Sequence, residues 1–256
     1  MNRLRLCLVL MALFVVPLKS FGLALVVPAE SLNDEGNSNN RYPFAADFGM
    51  RYQQIYGASA FESFHEPLSI LGIAFRADGP LGVPFTVEHP QIDLKLSRTA
   101  KAPDTLSATF ADNVGPDETT VYSGPLVISS TAPGPSGGPR AFDIEIPFST
   151  PFTYDPAAGS LLLDVLTPGI LGLTELYPID AQDSPGDSIS RVWGGSSDSI
   201  GILDPFTGPS AGLITRFTLA PEPSAITLIV VSGLVALGSR RRSIPHRQRI
   251  FKKVGS

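Results

Sequence analysis

Two stretches of the chain alternate strictly between apolar and polar residues. In 91–97, Ile92, Leu94 and Leu96 fall on one face, and Gln91, Asp93, Lys95 and Ser97 on the other. In 141–149, Phe142, Ile144, Ile146 and Phe148 oppose Asp143, Glu145, Pro147 and Ser149. A period of two is that of a half-buried antiparallel strand. Further strand candidates are 69–75, 106–110, 119–122, 126–129, 160–166, 188–193 and 213–219. The unbroken run Leu161-Leu162-Leu163 fits a strand covered on both faces. Turn clusters rich in Pro and Gly, such as 132–139 and 155–159, separate these segments. Before residue 224 no segment keeps a long helical period. The exception is 51–64, where Tyr52, Ile55, Tyr56 and Phe61 predict a turn or two of helix. Many short strands broken by Gly and Pro predict an all-β fold, a single antiparallel β-sandwich of jelly-roll-like form over 42–220. Residues 25–41, rich in Asn, Ser and Glu, are predicted to be a flexible segment ahead of it.

The two ends follow a different pattern. Met1-Asn2-Arg3-Leu4-Arg5 precedes an apolar run from Leu6 to Leu18. A short positive start, an apolar core of ~7–15 residues and then small residues is the layout of a secretory signal peptide. Gly22-Leu23-Ala24 places small residues at −3 and −1, so cleavage by signal peptidase is expected after Ala24, making 1–24 the signal peptide; Ser20-Phe21-Gly22 is the second choice. The lone cysteine, Cys7, lies inside that run, so the body has no disulfide framework, no CxxC site and no cysteine nucleophile. At the far end, 224–239 is uncharged and apolar on every side. As a helix it would span about 24 Å at ~1.5 Å per residue, short against a hydrocarbon core of about 30 Å. Arginine snorkelling or bilayer thinning closes that gap.

Charge follows the same division. Residues 1–24 hold three basic residues and no acid, and 240–256 hold seven and no acid. The middle keeps nine basic residues against all 24 acids, a net charge of −15. Such a body repels nucleic acid and anionic lipid, so no nucleic-acid partner is expected. The arginines beside the apolar run act as a topology signal and keep the tail 243–256 cytoplasmic, with the body outside.

The C-terminus resembles the PEP-CTERM sorting signal of exported bacterial proteins. Its parts are Pro221-Glu222-Pro223, an apolar span at about 224–239, and Arg240, Arg241 and Arg242, so the signal covers 221–242. The resemblance implies an exported protein that engages the membrane through its C-terminal helix. An exosortase, a membrane-embedded transpeptidase, would then process it for the cell surface or extracellular matrix, where extracellular polysaccharide is the associated partner. Prolines keep the outer boundary extended and accessible, because Pro cannot join a helix interior or a sheet ladder. Phrases in the body, such as Arg51-Tyr52-Gln53-Gln54-Ile55-Tyr56 and Gly212-Leu213-Ile214-Thr215-Arg216-Phe217, resemble exported proteins of the same kind. They imply a sandwich and no activity.

Candidate chemistry in the body is sparse. Glu62, His65 and Glu66 do not form HExxH, and no GxSxG elbow is present. His89, before Pro90, reads as structural, and His246 lies in the tail. Asp180, Asp183 and Asp187 share one segment, with Asp198 and Asp204 further on. Loop carboxylates suit calcium, but the EF-hand spacing is missing, so a solvated acidic loop is predicted, with no metal or other cofactor. Trp193 reads as a core or edge filler, and Asp164 as a turn cap. The expected function is therefore that of a non-enzymatic surface or matrix protein that binds carbohydrate. The alternative is a secreted glycosidase-like hydrolase with acidic catalysts, which needs two carboxyl groups about 5–10 Å apart across a cleft.

Overall fold

The computed structural model describes residues 22–170, 172–173, 177–203 and 210–221. Its strands, in chain order, are β1 (Leu23–Val27), β2 (Ser38–Asn40), β3 (Met50–Tyr56), β4 (Leu68–Phe75), β5 (Phe85–Thr99) and β6 (Thr119–Ser130). They continue with β7 (Ile144–Tyr154), β8 (Ser160–Thr167), β9 (Ile179–Gln182), β10 (Ile189–Gly195), β11 (Gly212–Leu213) and β12 (Thr215–Leu219). A four-stranded sheet has the order β1-β12-β4-β7, and a five-stranded sheet the order β10-β3-β8-β5-β6. The strands β11-β9-β2 form a small third sheet. All pairings between these strands are antiparallel. The fold is all-β and sandwich-like. Among the described residues no helix is long and apolar enough to cross a membrane. The apolar runs at both ends, Glu222, Pro223, Arg240, Arg241, Arg242 and Asp204 lie outside the described residues.

One apolar core fills the space between the two larger sheets. The alternating segments supply it: Ile92, Leu94 and Leu96 from β5, and Ile144 and Ile146 from β7, are all buried. β8 lies at the centre of the five-stranded sheet. Leu161, Leu163 and Val165 point into the core, while Leu162 joins a second cluster on the outer face with Ile55, Leu106, Phe110 and Val192. The leucine run is therefore covered on both faces, as its sequence predicts. An aromatic group closes one end of the core. Phe217 meets Tyr56 at 4.9 Å and Phe61 at 5.5 Å, and Phe61 meets Tyr154 at 4.9 Å. Edge-to-face pairs of this kind add ~0.5–1.5 kcal/mol each beyond the area they bury.

Several expectations need correction. Residues 51–56 are strand β3, and only Ala58–Phe61 makes a single 3-10 turn. The strand forms despite its polar residues because Arg51, Gln53, Gln54 and Tyr56 find distant partners. Gln54 donates to the Leu213 carbonyl and accepts from the Leu213 N–H, and Tyr56 bonds Thr215. Gln53 and Arg51 both donate to Asp164. Residues 106–110 are not a strand; Thr109 makes one bridge to Ile200, and Phe110 opens a 3-10 turn over the outer cluster. The two candidates at 119–122 and 126–129 are one strand, β6, whose Gly124-Pro125 is tolerated because β6 is a sheet edge. Pro90 sits inside β5 at a register shift between His89 and Ile92.

The segment 25–41, expected to be flexible, is built into the body. It supplies most of β1, a 3-10 turn at Ala29–Leu32, and β2. Val26 and Val27 bury their side chains, and the polar residues pair with β9 and the loop after it: Asn37 bonds Gln182, Asp183 and Ser184. Ala24, the predicted cleavage point, lies within β1 opposite Thr218.

Candidate functional site

The outer face of the four-stranded sheet carries the most distinctive surface. Val26, Arg216, Ala74 and Glu145 stand in one row across β1, β12, β4 and β7. Ala74 is small, so Arg216 reaches over it to Glu145, with a 2.7 Å ion pair between strands that are not neighbours. The pair is open to solvent; 68% of the Glu145 side chain is exposed.

On one side of this latch lies a cleft of about 680 Å³ lined by Arg76, Arg140, Arg216 and Phe142 with Ala24 and Val26 at its edge. On the other side is a hollow of about 370 Å³ over Gly72, Ile73, Pro147 and Thr218. The larger volume falls within the ~300–1,000 Å³ typical of small-molecule sites. Phe142, predicted to point inward with Ile144, precedes β7 instead. Its ring packs against the guanidinium of Arg76 at 4.9 Å and that of Arg216 at 5.5 Å. Among the described residues no acidic side chain lines the cleft, although the body as a whole is strongly acidic.

Behind the cleft Arg76 is almost fully buried, and it is held by Asp180. Its Nε donates to Asp180 at 2.7 Å, a second guanidinium nitrogen lies 2.6 Å from the same oxygen, and Nη2 also donates to the Asp34 carbonyl. The other Asp180 oxygen accepts from the Gly36 N–H. Glu35 and Asp78 complete the group: oxygens of Glu35, Asp78 and Asp180 lie within 4.8 Å of one another. Glu35 accepts from the Gly79 N–H, Asp78 accepts from the Leu81 N–H, and the second Glu35 oxygen is buried with no partner. Burial raises all three acids. It acts against the pull of Arg76, and pushes Asp180 up to about 7, with the nearby Glu35 carboxylate adding to the rise. A divalent cation here would have to displace Arg76 from Asp180, so the arrangement works as a buried charge cluster that ties residues 34–36 to β9. Arg140 braces the same corner, donating to the carbonyls of Ala132, Gly134 and Gly79, while its Nε–H has no acceptor.

The acids grouped by sequence do not converge. Asp180 is fully buried in β9, not solvated. Asp183 accepts from the Ser210 hydroxyl. Asp187 accepts from the N–H groups of Ser184 and Ile189, and burial pushes it up to about 6. Asp198 caps Gly195. Asp164 is no turn cap: it sits within β8, buried, and takes two nitrogens of Arg51 and the amide of Gln53. Glu62, His65 and Glu66 are exposed. His89 is buried beside Thr167, and burial lowers its pKa. Trp193 is half-buried against Tyr42 at 4.8 Å. Pro221 is separated from the end of β12 by one residue and is partly buried.

The cleft residues escaped the sequence reading. Arg76 and Asp78 follow the apolar run 69–75, and Arg140 follows a Pro/Gly cluster, but nothing local links them to Arg216 or Glu35. No protein-family model, curated protein or solved structure matches the chain.

Proposed function

We propose that this chain is an exported, non-enzymatic surface or matrix protein whose jelly-roll-like body binds carbohydrate. It is carried to the membrane by the N-terminal signal and sorted through the C-terminal PEP-CTERM-like signal. In this reading signal peptidase cuts near Ala24. The span 224–239 anchors the chain beside Arg240, Arg241 and Arg242, and an exosortase-like transpeptidase acts near Pro221-Glu222-Pro223.

One observation carries the proposal. β1 and β12 are paired neighbours, with Leu23 opposite Leu219, so the two membrane-seeking segments join the body at the same end of the same sheet. Only residues 220–223 separate Leu219 from the apolar run, a reach of at most about 14 Å. A body held by both ends at one pole suits delivery to, and release from, a membrane surface. The hydrolase alternative would draw on Glu35 and Asp180. The oxygens of Asp180 are already occupied by Arg76 and Gly36, which favours binding over acid catalysis.

Intact mass of the protein from native cells, measured fraction by fraction, tests the proposal. Loss of the N-terminal segment together with everything beyond Pro221-Glu222-Pro223 supports it. A membrane-fraction mass that retains 224–256 removes the transpeptidase step.

A further inference from the structure

We propose that the cleft over Phe142 binds a carboxylated polysaccharide, with the acid group of a uronate unit taken by Arg216 and Arg140 and the sugar lying along the latch over Ala74. The inference rests on the carbohydrate-binding reading above and adds the charge class and the place.

The argument starts from the charge balance. The body holds nine basic residues against 24 acids, yet three of the nine line one cleft that, among the described residues, has no acid in its lining. Concave walls of one sign focus the field and raise the local concentration of the opposite ion. The three arginines are not equivalent. Arg76 is neutralised from behind by Asp180 and serves as fixed structure. Arg140 is oriented by three carbonyl groups; the Glu35 and Asp78 carboxylates behind it partly offset its charge, and its Nε–H is buried, so it meets a ligand only through its guanidinium tip. Arg216 is neutralised only by an exposed carboxylate, Glu145, which a ligand carboxylate can replace one for one. The planar guanidinium fork matches a carboxylate, and the exchange keeps a charge-assisted bond.

Shape argues for a chain of sugar units and not a lone anion. The cleft and the second hollow lie on either side of the Arg216–Glu145 latch on one sheet face, above the small residues Gly72 and Ala74. Phe142 gives the floor an apolar edge. A linear polymer can place one carboxylate at Arg216 with a neighbouring unit in the cleft, while the second hollow, which Glu145 also lines, takes an uncharged edge of the chain.

The full chain, purified in nonionic detergent, is titrated with an oligouronate of about four to six units, a neutral oligosaccharide of equal length and a short oligoglutamate. Glu145→Gln frees Arg216 and is expected to tighten oligouronate binding several-fold. Arg216→Gln is expected to weaken it about tenfold, the worth of one charge-assisted contact. Arg140→Lys, which keeps a charge on the loop, is expected to weaken it less. Arg216 and Glu145 are surface residues, so folding is not at risk, and any binding by the basic 240–256 tail is the same in every variant. Oligouronate affinity indifferent to both Arg216→Gln and Glu145→Gln overturns the cleft assignment. Equal or better binding of the neutral sugar overturns the charge class while the carbohydrate reading survives. Oligoglutamate binding as tightly as oligouronate leaves a plain carboxylate site and overturns the sugar. No binding of either sugar overturns the inference and the carbohydrate reading together.

Discussion

Removing Arg76 isolates Asp180, and the cost can be worked from the structure. The side chains are 1% and 0% exposed and touch at 2.6 Å. Breaking such a pair from one side costs ~3–5 kcal/mol, because the remaining charge has lost its counter-ion in a site without water and keeps only the Gly36 N–H. In Arg76→Met, Asp180 has one escape, which is to take a proton. Holding it neutral in the fold costs ~1.4 kcal/mol for each pH unit above its ordinary value. That ordinary value is 3.8, so the cost is about 4.4 kcal/mol at pH 7 and about 1.6 kcal/mol at pH 5. The double variant Arg76→Met/Asp180→Leu lacks the Asp180 carboxyl, while Glu35 and Asp78 are present in both variants. The stability gap between single and double variants should therefore shrink by about 2.7 kcal/mol from pH 7 to pH 5. The loss of the acceptor for the Gly36 N–H, which only the double variant suffers, shifts the gap by a constant. Urea unfolding of residues 22–221 at both pH values reads it directly, provided the slopes stay equal. A gap that does not change with pH would refute the claim that an isolated Asp180 charge causes the instability. A single variant within about 1 kcal/mol of wild type would refute burial of the pair itself.

In the wild-type body Asp180 and Asp187 are both raised by burial, to about 7 and about 6. The folded state then binds more protons than the unfolded state between about pH 4 and 7, so these groups lower stability as pH rises through that window. The urea midpoint should be higher at pH 5 than at pH 7.5, and Asp180→Asn should flatten the slope. Gly36→Ala would drive a methyl onto the Ala181 carbonyl and Asp180 Oδ1. A loss of about 1–3 kcal/mol is expected from the overpacking, seen as a lower melting temperature. Phe217→Ala empties a fully buried site between Tyr56 and Phe61 and should cost ~3–5 kcal/mol in the same unfolding assay.

Much of the sandwich was legible because its strands carry their own pattern. Residues 91–97 and 144–146 alternate, and the leucines of 160–166 mark a strand buried from both sides. The pattern failed where burial is satisfied by distant polar partners. β3 reads as Arg, Tyr, Gln, Gln, Ile and Tyr, and it is a central strand only because Asp164, Leu213 and Thr215 lie opposite these groups. The same holds for 34–37, whose polar composition suggests mobility until β9 supplies Asp180 and Gln182 and the loop after it supplies Asp183. The candidate site was illegible for a topological reason. Arg76, Arg140 and Arg216 meet because the sheet order places β12 beside β4 and β4 beside β7, and no short-range spacing records that order.

If the chain is exported as proposed, β1 links that step to the cleft. Ala24 lines the cleft and also precedes the proposed cleavage point. Cleavage after Ala24 leaves Leu25, Val26 and Val27 to pair with Phe217, Arg216 and Thr215, so the two buried valines stay on the sheet. It also creates a terminal ammonium at Leu25, next to Val26 and thus beside Arg216. Maturation would then open the edge of the cleft and add a positive charge where an acidic sugar is proposed to bind. Cleavage after Gly22 keeps all five pairs of β1 and sets the ammonium two residues further along. The two mature forms differ by Leu23 and Ala24 alone. The Leu25 form should bind oligouronate more tightly above all below the ordinary α-amino value of about 8, where the new terminus is charged. Equal affinity of the two forms at pH 6 would separate processing from binding.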